Sequence, residues 1–385
     1  MNSAERRERR YERRKAKREA KRQAILKEYG DFDKVFTFDH LYRAFRNCCK
    51  GVNWKPATQR YRANVLVNLV TTLDQLRAGK YKSKGFYERD IVERGKPRHI
   101  RFVRFGERIV QRCVCDYSYI PIFSRTLVYD NGAGIKGKGV HFSVNRFARH
   151  LREHYQKYGT EGYVLTYDFR KYFDSIPHER LKVLVCRAYD GGAVGRLICQ
   201  LIDDFGGDRG LGLGSQISQI SAVSFLNVMD HYITERLCVG KSARHMDDGY
   251  LVSISKDFLL SCLERLTRLA SALGLTLNES KTQVVKIKRG ISFLKRRFIL
   301  TDTGGVIVKP VKKGTTKMRH KLKTFRRWLD EGKKNFTFKD VETSFTSWLG
   351  HMEKCDAHET IVATKKFFNR LFEKEIMYAY GVQAA

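Results

Sequence analysis

The chain has 385 residues, 42% of them hydrophobic and 12% aromatic, enough for two or three sub-domains around a shared core. Lys and Arg number 75 against 41 Asp and Glu, a net charge of +34, which strains a compact fold unless an anion shares the surface. Phosphate backbones are the usual such anion. There is no apolar run of about 18 residues and no signal-peptide core, so a membrane-spanning or secreted chain is not expected, and a cytoplasmic one is.

The basic excess runs through the body as well as the start, at Lys96-Pro97-Arg98, Lys281 to Arg289, Lys295-Arg296-Arg297 and Lys309 to Lys334. Nine cysteines are scattered without a CxxC pair. Cys48-Cys49 and Cys113-x-Cys115 are too tight for a zinc knuckle, and reduced thiols are expected.

Residues 5 to 28 are dense in Arg, Lys, Glu and Ala with no breaker before Gly30, which predicts a basic helix or arm that orders on RNA. From Phe36 to Gly79 the pattern is helical, with Leu66, Leu69, Leu73 and Leu76 as one stripe. Tyr87 to Phe105 reads as two strands around a turn at Arg94-Gly95-Lys96-Pro97, and Arg108 to Phe123 as a helix ending near Pro121. A glycine-rich loop, Asp130 to Gly139, leads into a helix from about Ser143.

Gly162 to Asp168 is a strand of β-formers, and Leu181 to Leu201 is largely helical. A second glycine loop, Gly206 to Gly214, precedes a helix from about Ser218 to Leu237. Ala243 to Ile254 is a hairpin with Met246-Asp247-Asp248-Gly249 at its turn, followed by a helix from Phe258 to Leu273. Two further strands bracket Gly290 and Phe293, and after Lys309 the chain is basic and helical.

Two acidic clusters lie at strand ends: Asp168, and the pair Asp247-Asp248. Clustered carboxylates repel unless a cation joins them. Magnesium accepts carboxylate and phosphate oxygens together, and two such ions stabilise the attacking and leaving oxygens of an in-line phosphoryl displacement. Asp-Asp in a turn is weak evidence by itself, since turns favour Asp.

Blocks around these clusters give them context. YVLTYDFRKYFDSIPH (163–178), GLGLGSQISQ (210–219), RHMDDGY (244–250), LGLTLNESKT (273–282) and GISFLK (290–295) follow in order. KPRHIRFVRFGERIVQ (96–111) and NGAGIKGKGVH (131–141) precede them. The series resembles motifs A to E and the fingers motifs of the reverse transcriptase family, over roughly residues 40 to 355.

The resemblance implies an α+β right-hand polymerase. Its parts are a basic arm (1–30), fingers (31–160), a palm with an antiparallel sheet (161–290, with a fingers insertion at about 175–210), then primer grip and helical thumb (291–385). It implies metal binding by Asp168, Asp247, Asp248 and the Phe169 carbonyl, with two Mg2+ ions or Mn2+ in their place. Lys281 falls at the family's lysine, a candidate general acid for the pyrophosphate leaving group that also fits as simple electrostatic support. Phe173 falls at the aromatic gate against the ribose 2′-OH, which favours dNTPs, although Tyr172 and Phe173 both also fit as core aromatics. Lys96 and Arg98, with Arg101 as a weaker candidate, match positions that clamp the triphosphate. Leu213, Gly214 and Gln219 fall at the nucleotide site, and His245, Met246, Phe293, Leu294 and Lys295 along primer and template.

Three departures matter. His245 replaces a tyrosine, Lys295 a glycine, and the second block reads Leu213-Gly-Ser-Gln-Ile-Ser-Gln219 rather than the usual P-Q-G-x-x-x-S-P. That last form, and Ser347-Trp348-Leu349-Gly350-His351 with Asp356 and His358, resemble reverse transcriptases of diversity-generating retroelements and of phage defence. Gly212 stands where the retroelement form has proline. This resemblance implies a bacterial or phage-encoded enzyme that copies a dedicated or noncoding RNA into cDNA, often with errors, and an accessory helical-bundle partner. The other readings are an RNA polymerase, which Phe173 disfavours, and an idle maturase-like RNA-binding protein, which the intact carboxylates disfavour.

Overall fold

The structure is a computed structural model that describes residues 3–93 and 96–380, with the side chains of Glu93, Lys96, Arg98 and Tyr380 outside the description. The chain forms two compact units from interleaved segments: residues 1–139, 167–249 and 262–282, and residues 140–166, 250–261 and 283–385.

The first unit opens with a helix, Ser3–Tyr29, that buries none of its side chains. It is tied at its far end, where the Arg22 guanidinium grips Asp190 (2.7 Å) and Ser118 Oγ donates to the Tyr29 carbonyl (2.5 Å). Helices Phe38–Cys49 and Val65–Arg77 supply the next layer. Leu69, Leu73 and Leu76 are buried as their spacing requires, but Leu66 is 61% exposed, because the buried stripe begins one turn later. A hairpin follows, β1 (Phe86–Glu93) against β2 (Lys96–Val103), in register Phe86↔Val103 to Glu93↔Lys96.

The expected helix over Arg108 to Phe123 begins earlier, at Phe105, and does not stop at Pro121. Helix Phe105–Val114 passes through a π turn, Cys115–Tyr119, into helix Ile120–Ser124. Pro121 sits in the first turn of that last helix, where its missing N–H has no helical partner to lose. The helix expected from Ser218 begins at Gln216 and is interrupted at Leu226, continuing as Asn227–His231 and a second π turn, Tyr232–Arg236.

A four-stranded sheet has the order β4 (Ser242–His245), β5 (Asp248–Ser253), β3 (Tyr163–Tyr167), β6 (Gln283–Lys286). β3 pairs antiparallel with β6, Tyr163↔Lys286 to Thr166↔Gln283. Val164, Leu165 and Tyr167 are buried, as expected of a strand covered on both faces.

The second unit also contains a three-stranded sheet, β7 (Ile291–Phe293), β8 (Arg296–Leu300) and β9 (Val306–Pro310). Of these, β9 is not expected from the sequence. Helix Val140–Tyr158, begun three residues before Ser143, packs Phe147 against Tyr250, Phe293 and Phe298 with ring centroids 4.3–5.4 Å apart. The C-terminal part is helical: Lys312–Asp330, Phe338–Met352, His358–Leu371 and Glu373–Tyr380. Its core is Met318, Leu322, Phe325, Val341, Phe345, Phe368 and Phe372. The cysteines are free, and among the described residues no helix is long and apolar enough to cross a membrane.

Candidate active site

β3 runs in apolar register up to Tyr167 and then delivers Asp168, which is 3% exposed. Beyond the ladder the segment is held by Leu277, with Asn278 N donating to the Asp168 carbonyl (2.7 Å) and Arg170 N to the Thr276 carbonyl (2.9 Å). These bonds use the carbonyl of Asp168 and the amide of Arg170, while the Phe169 carbonyl takes part in neither.

The second carboxylate pair arrives on the turn between β4 and β5, where Met246 takes a left-handed backbone (φ 57°). Arg244, fully buried in β4, fixes that turn. It donates from Nη1 to the Met246 carbonyl (2.7 Å), from Nη2 to the Val223 carbonyl (3.0 Å), and from Nε and Nη2 to the two oxygens of Asp230 (2.8 and 2.5 Å). Gly249, next to Asp248, is required by Tyr167. A Cβ there would stand 2.2 Å from the ring Cζ and 2.3 Å from its hydroxyl.

Asp247 is thereby brought against Asp168. Burial and then the Asp168 carboxylate, opposed by a backbone hydrogen bond, push the Asp247 carboxyl up to about 6. Lys281 contacts Asp168 through its ammonium, and this contact raises the lysine above its ordinary value, with further support from Asp248 and Asp247. Asp168, Asp247, Asp248 and Lys281 therefore converge within the first unit, as the sequence leads one to expect.

Among the described residues no three His, Cys, Asp or Glu side chains stand as a preformed metal cage. The donor chemistry still fits a divalent cation. The converging groups are oxygen ligands, burial and then the Asp168 carboxylate disfavour a second bare charge at Asp247, and the Lys281 ammonium lies on the Asp168 carboxylate.

The other expected residues distribute as follows. Tyr172 is a core aromatic, its hydroxyl donating to the Ala222 carbonyl (2.5 Å), while Phe173 is only half-buried. The Phe173 carbonyl accepts from Leu211 N (2.8 Å) and the Ile176 carbonyl from Gly210 N (2.9 Å), so the glycine loop is stitched beside Phe173. In that loop Gly212 abuts Phe205 and Arg101, where a Cβ would lie 2.9 Å from each. Leu213 is half-buried, Gly214 has φ 108°, and Gln219 is exposed.

Arg101 is committed within the protein, to Glu88 (2.9 Å) and the Phe205 carbonyl (2.5 Å). Lys96 and Arg98 sit on β2 with side chains outside the described residues. His245 is half-buried, and burial lowers its imidazole against a hydrogen bond with the Gly132 backbone.

Phe293, Leu294 and Lys295 belong to the second unit. Phe293 is buried, and Leu294-Lys295 form the turn between β7 and β8 with φ 47° and 61°. Asp230 and Tyr167 were not singled out in the sequence. The signal for Asp230 was Arg244 itself, a cation inside a strand that otherwise reads as buried.

With this geometry in hand, the family follows. The profile of the reverse transcriptase (RNA-dependent DNA polymerase) family matches residues 94–298, more than half of the chain, and the chain belongs to that family. Its members use divalent metal ions.

The fold is similar to that of telomerase from Candida albicans, solved in complex with the TWJ fragment of telomeric RNA. The TM-score is 0.50 at 12% identity, over 77% of this chain and 57% of that one. The fold is thus a right-hand polymerase, and the chain spans little more than half the length of that relative. No curated protein sequence matches it.

Proposed function

We propose that this chain is an RNA-directed DNA polymerase that extends a primer by nucleotidyl transfer. The observation that carries the reading is the convergence of Asp168, Asp247, Asp248 and Lys281 in a member of the reverse transcriptase family. Asp168, Asp247, Asp248 and the Phe169 carbonyl hold two Mg2+ ions. When bound, these ions supply charge stabilisation to the phosphoryl transfer. Asp247 would serve as a ligand in its ionised form, and Lys281 exchanges its contact with Asp168 for the departing pyrophosphate, to which it gives a proton.

Phe173 closes the sugar pocket against a 2′-hydroxyl, so dNTPs are the substrates. Leu213, Gly214 and Gln219 shape the floor beneath the incoming base, and Lys96 and Arg98 clamp the triphosphate from the fingers hairpin. His245 and Met246 lie along the primer end, and Phe293, Leu294 and Lys295 grip the strand. In this reading residues 31–160 are fingers, 161–290 palm and 291–385 thumb, with the basic arm and thumb holding an RNA–DNA hybrid by its backbone.

The finer reading is an error-prone, cytoplasmic bacterial enzyme of the diversity-generating type, copying a dedicated RNA with a helical-bundle partner. It is supported by the apolar Leu213 before Gly214 and by the Ser218-Gln219 pair. Defence against phage from a noncoding RNA is the second reading, supported by the same block.

The test is primer extension on an RNA template with Mg2+ and either dNTPs or NTPs, comparing wild type with Asp247→Asn. DNA product that vanishes in the variant, with RNA binding unchanged, is expected. RNA product, or synthesis by the variant, would overturn the assignment. Sequencing of the DNA reads fidelity, with errors opposite template adenines marking the diversity-generating type.

A further inference from the structure

Two arginines are among the largest fully buried side chains of the protein, Arg244 and Arg296, each 1% exposed. They are satisfied very differently. Arg244 has a bidentate carboxylate and two carbonyls. Arg296, at the start of β8, donates from Nη1 to the Lys354 carbonyl (3.1 Å), and its Nε has no partner. Among the described residues it makes no ion pair. Asp356, two residues beyond Lys354, turns its carboxylate to the Val308 amide instead (2.7 Å). A buried charge without a counter-ion is costly, and a guanidinium with unspent donors in a fixed fork is built to receive oxyanions.

Arg296 lines a recess of about 340 Å3 in the second unit. The other walls carry His141, Ser347, His351 and Lys354 and no carboxylate. At about 30 Å3 per water the space exceeds what a bare tetrahedral anion fills. Gly350, on the same helix as Ser347 and His351, keeps the recess open, since a Cβ built there meets nothing within 4 Å. The segment Ser347 to His351 stood out in the sequence and has no part in the chemistry at Asp168.

We propose that this recess is a phosphoryl-anion site in which Arg296 is the buried counter-charge and Ser347, His351 and Lys354 are the rim. The shared chemistry is a tetrahedral phosphate, presented either by a nucleic-acid strand or as free phosphate. The recess belongs to the second unit and the carboxylate cluster to the first, and the test of the recess needs no turnover.

Thermal unfolding is followed with increasing inorganic phosphate, replaced by chloride at equal ionic strength in the control. In parallel, a fluorescent RNA–DNA duplex is titrated by anisotropy. Two variants accompany the wild type: Arg296→Met, which removes the charge while keeping the volume, and Gly350→Leu, which fills the recess and leaves Arg296 in place. Because Arg296 has no counter-ion among the described residues, Arg296→Met strands no opposite charge.

Phosphate is expected to raise the wild-type midpoint and to lose that effect in both variants. If duplex binding also weakens about tenfold or more in both, the phosphate belongs to a strand. If duplex binding is unchanged, it is free phosphate. A phosphate response that persists in Arg296→Met, or a wild type that responds to neither ligand through this recess, overturns the proposal.

Discussion

Arg244 and Asp230 form a fully buried ion pair, 2.5 Å between Nη2 and Oδ2, and Nη1 of the same guanidinium holds the Met246 carbonyl at the turn carrying Asp247 and Asp248. The pair thus joins a helix to the tip of a hairpin. Breaking it from one side leaves a charge stranded. Asp230→Asn should cost about 3–5 kcal/mol in urea unfolding. The double variant Asp230→Leu with Arg244→Met should cost less than Asp230→Asn alone yet still lose polymerisation, because the Met246 carbonyl loses its donor. A double variant no more stable than the single one would refute the ion-pair account.

Gly249 should be intolerant of even one methyl. With Tyr167 Cζ 2.2 Å from the position of a Cβ, the Asp247-Asp248 turn must move or the ring must. Gly249→Ala should slow nucleotide addition about 10²-fold, as expected for a displacement of the order of 1 Å. Adding Tyr167→Ala should restore part of the rate. Pre-steady-state incorporation measures both, and the absence of any recovery would show that the clash is not the cause.

Lys281 separates two roles that a single substitution confounds. Lys281→Met removes charge and proton together and should slow incorporation by about 10²–10⁴-fold. Lys281→Arg keeps the charge beside Asp168 but cannot release a proton, and should remain nearly as slow. An arginine variant close to wild type in single-turnover rate would reduce Lys281 to electrostatic support.

The turn Leu294-Lys295 holds two side chains at positive φ, 47° and 61°, a backbone usually given to glycine or asparagine. An L residue there costs about 1–2 kcal/mol, and a glycine gives back about 0.5–1 through chain entropy. Lys295→Gly should therefore raise the urea midpoint by the equivalent of up to about 1 kcal/mol. A lower midpoint would mean that the lysine side chain contributes more than its backbone strain costs.

The helix Phe338–Met352 begins with a reciprocal cap in which Asp340 accepts from the Thr337 backbone and hydroxyl (2.8 and 2.9 Å). These bonds lower the Asp340 pKa, the backbone bond first. A carboxylate whose folded pKa is depressed adds stability above its unfolded value and loses it as pH falls through the folded one. The stability difference between wild type and Asp340→Ala should be present at pH 7 and shrink below about pH 4. A difference independent of pH would assign the cap to the hydroxyl alone.

The sequence makes the carboxylates legible because Asp168 closes a run of β-formers and Asp247-Asp248 sit at a turn just before another, Tyr250-Leu251-Val252. It hides what holds them. Asp230 lies in a helix that reads as ordinary, and its pairing with Arg244 exists only in three dimensions. Leu66 continues a leucine stripe yet faces solvent, because periodicity marks a face without marking where the face stops being covered. Strand β9 is obscured by Lys309, and β8 carries the pair Arg296-Arg297. The alternation in β8 is regular, but one of its buried positions is occupied by a cation. Pro121 reads as a stop because a proline inside a helix usually is one. The π turn before it restarts the count, so that it enters as a first-turn residue.

The helix Ser3–Tyr29 is fastened near its C-terminal end, through Arg22 and Tyr29, and at 1.5 Å per residue it is about 40 Å long. It carries 12 basic and 5 acidic side chains. Its N-terminal end lies several screening lengths from Arg22, since charges fade over about 8 Å at physiological salt. A polyanion drifting past therefore meets the helix before it feels the rest of that unit. The helix widens the target for first encounter, so shortening it changes how often a strand is caught and how steeply capture depends on salt, while leaving untouched what happens to the strand once it is seated.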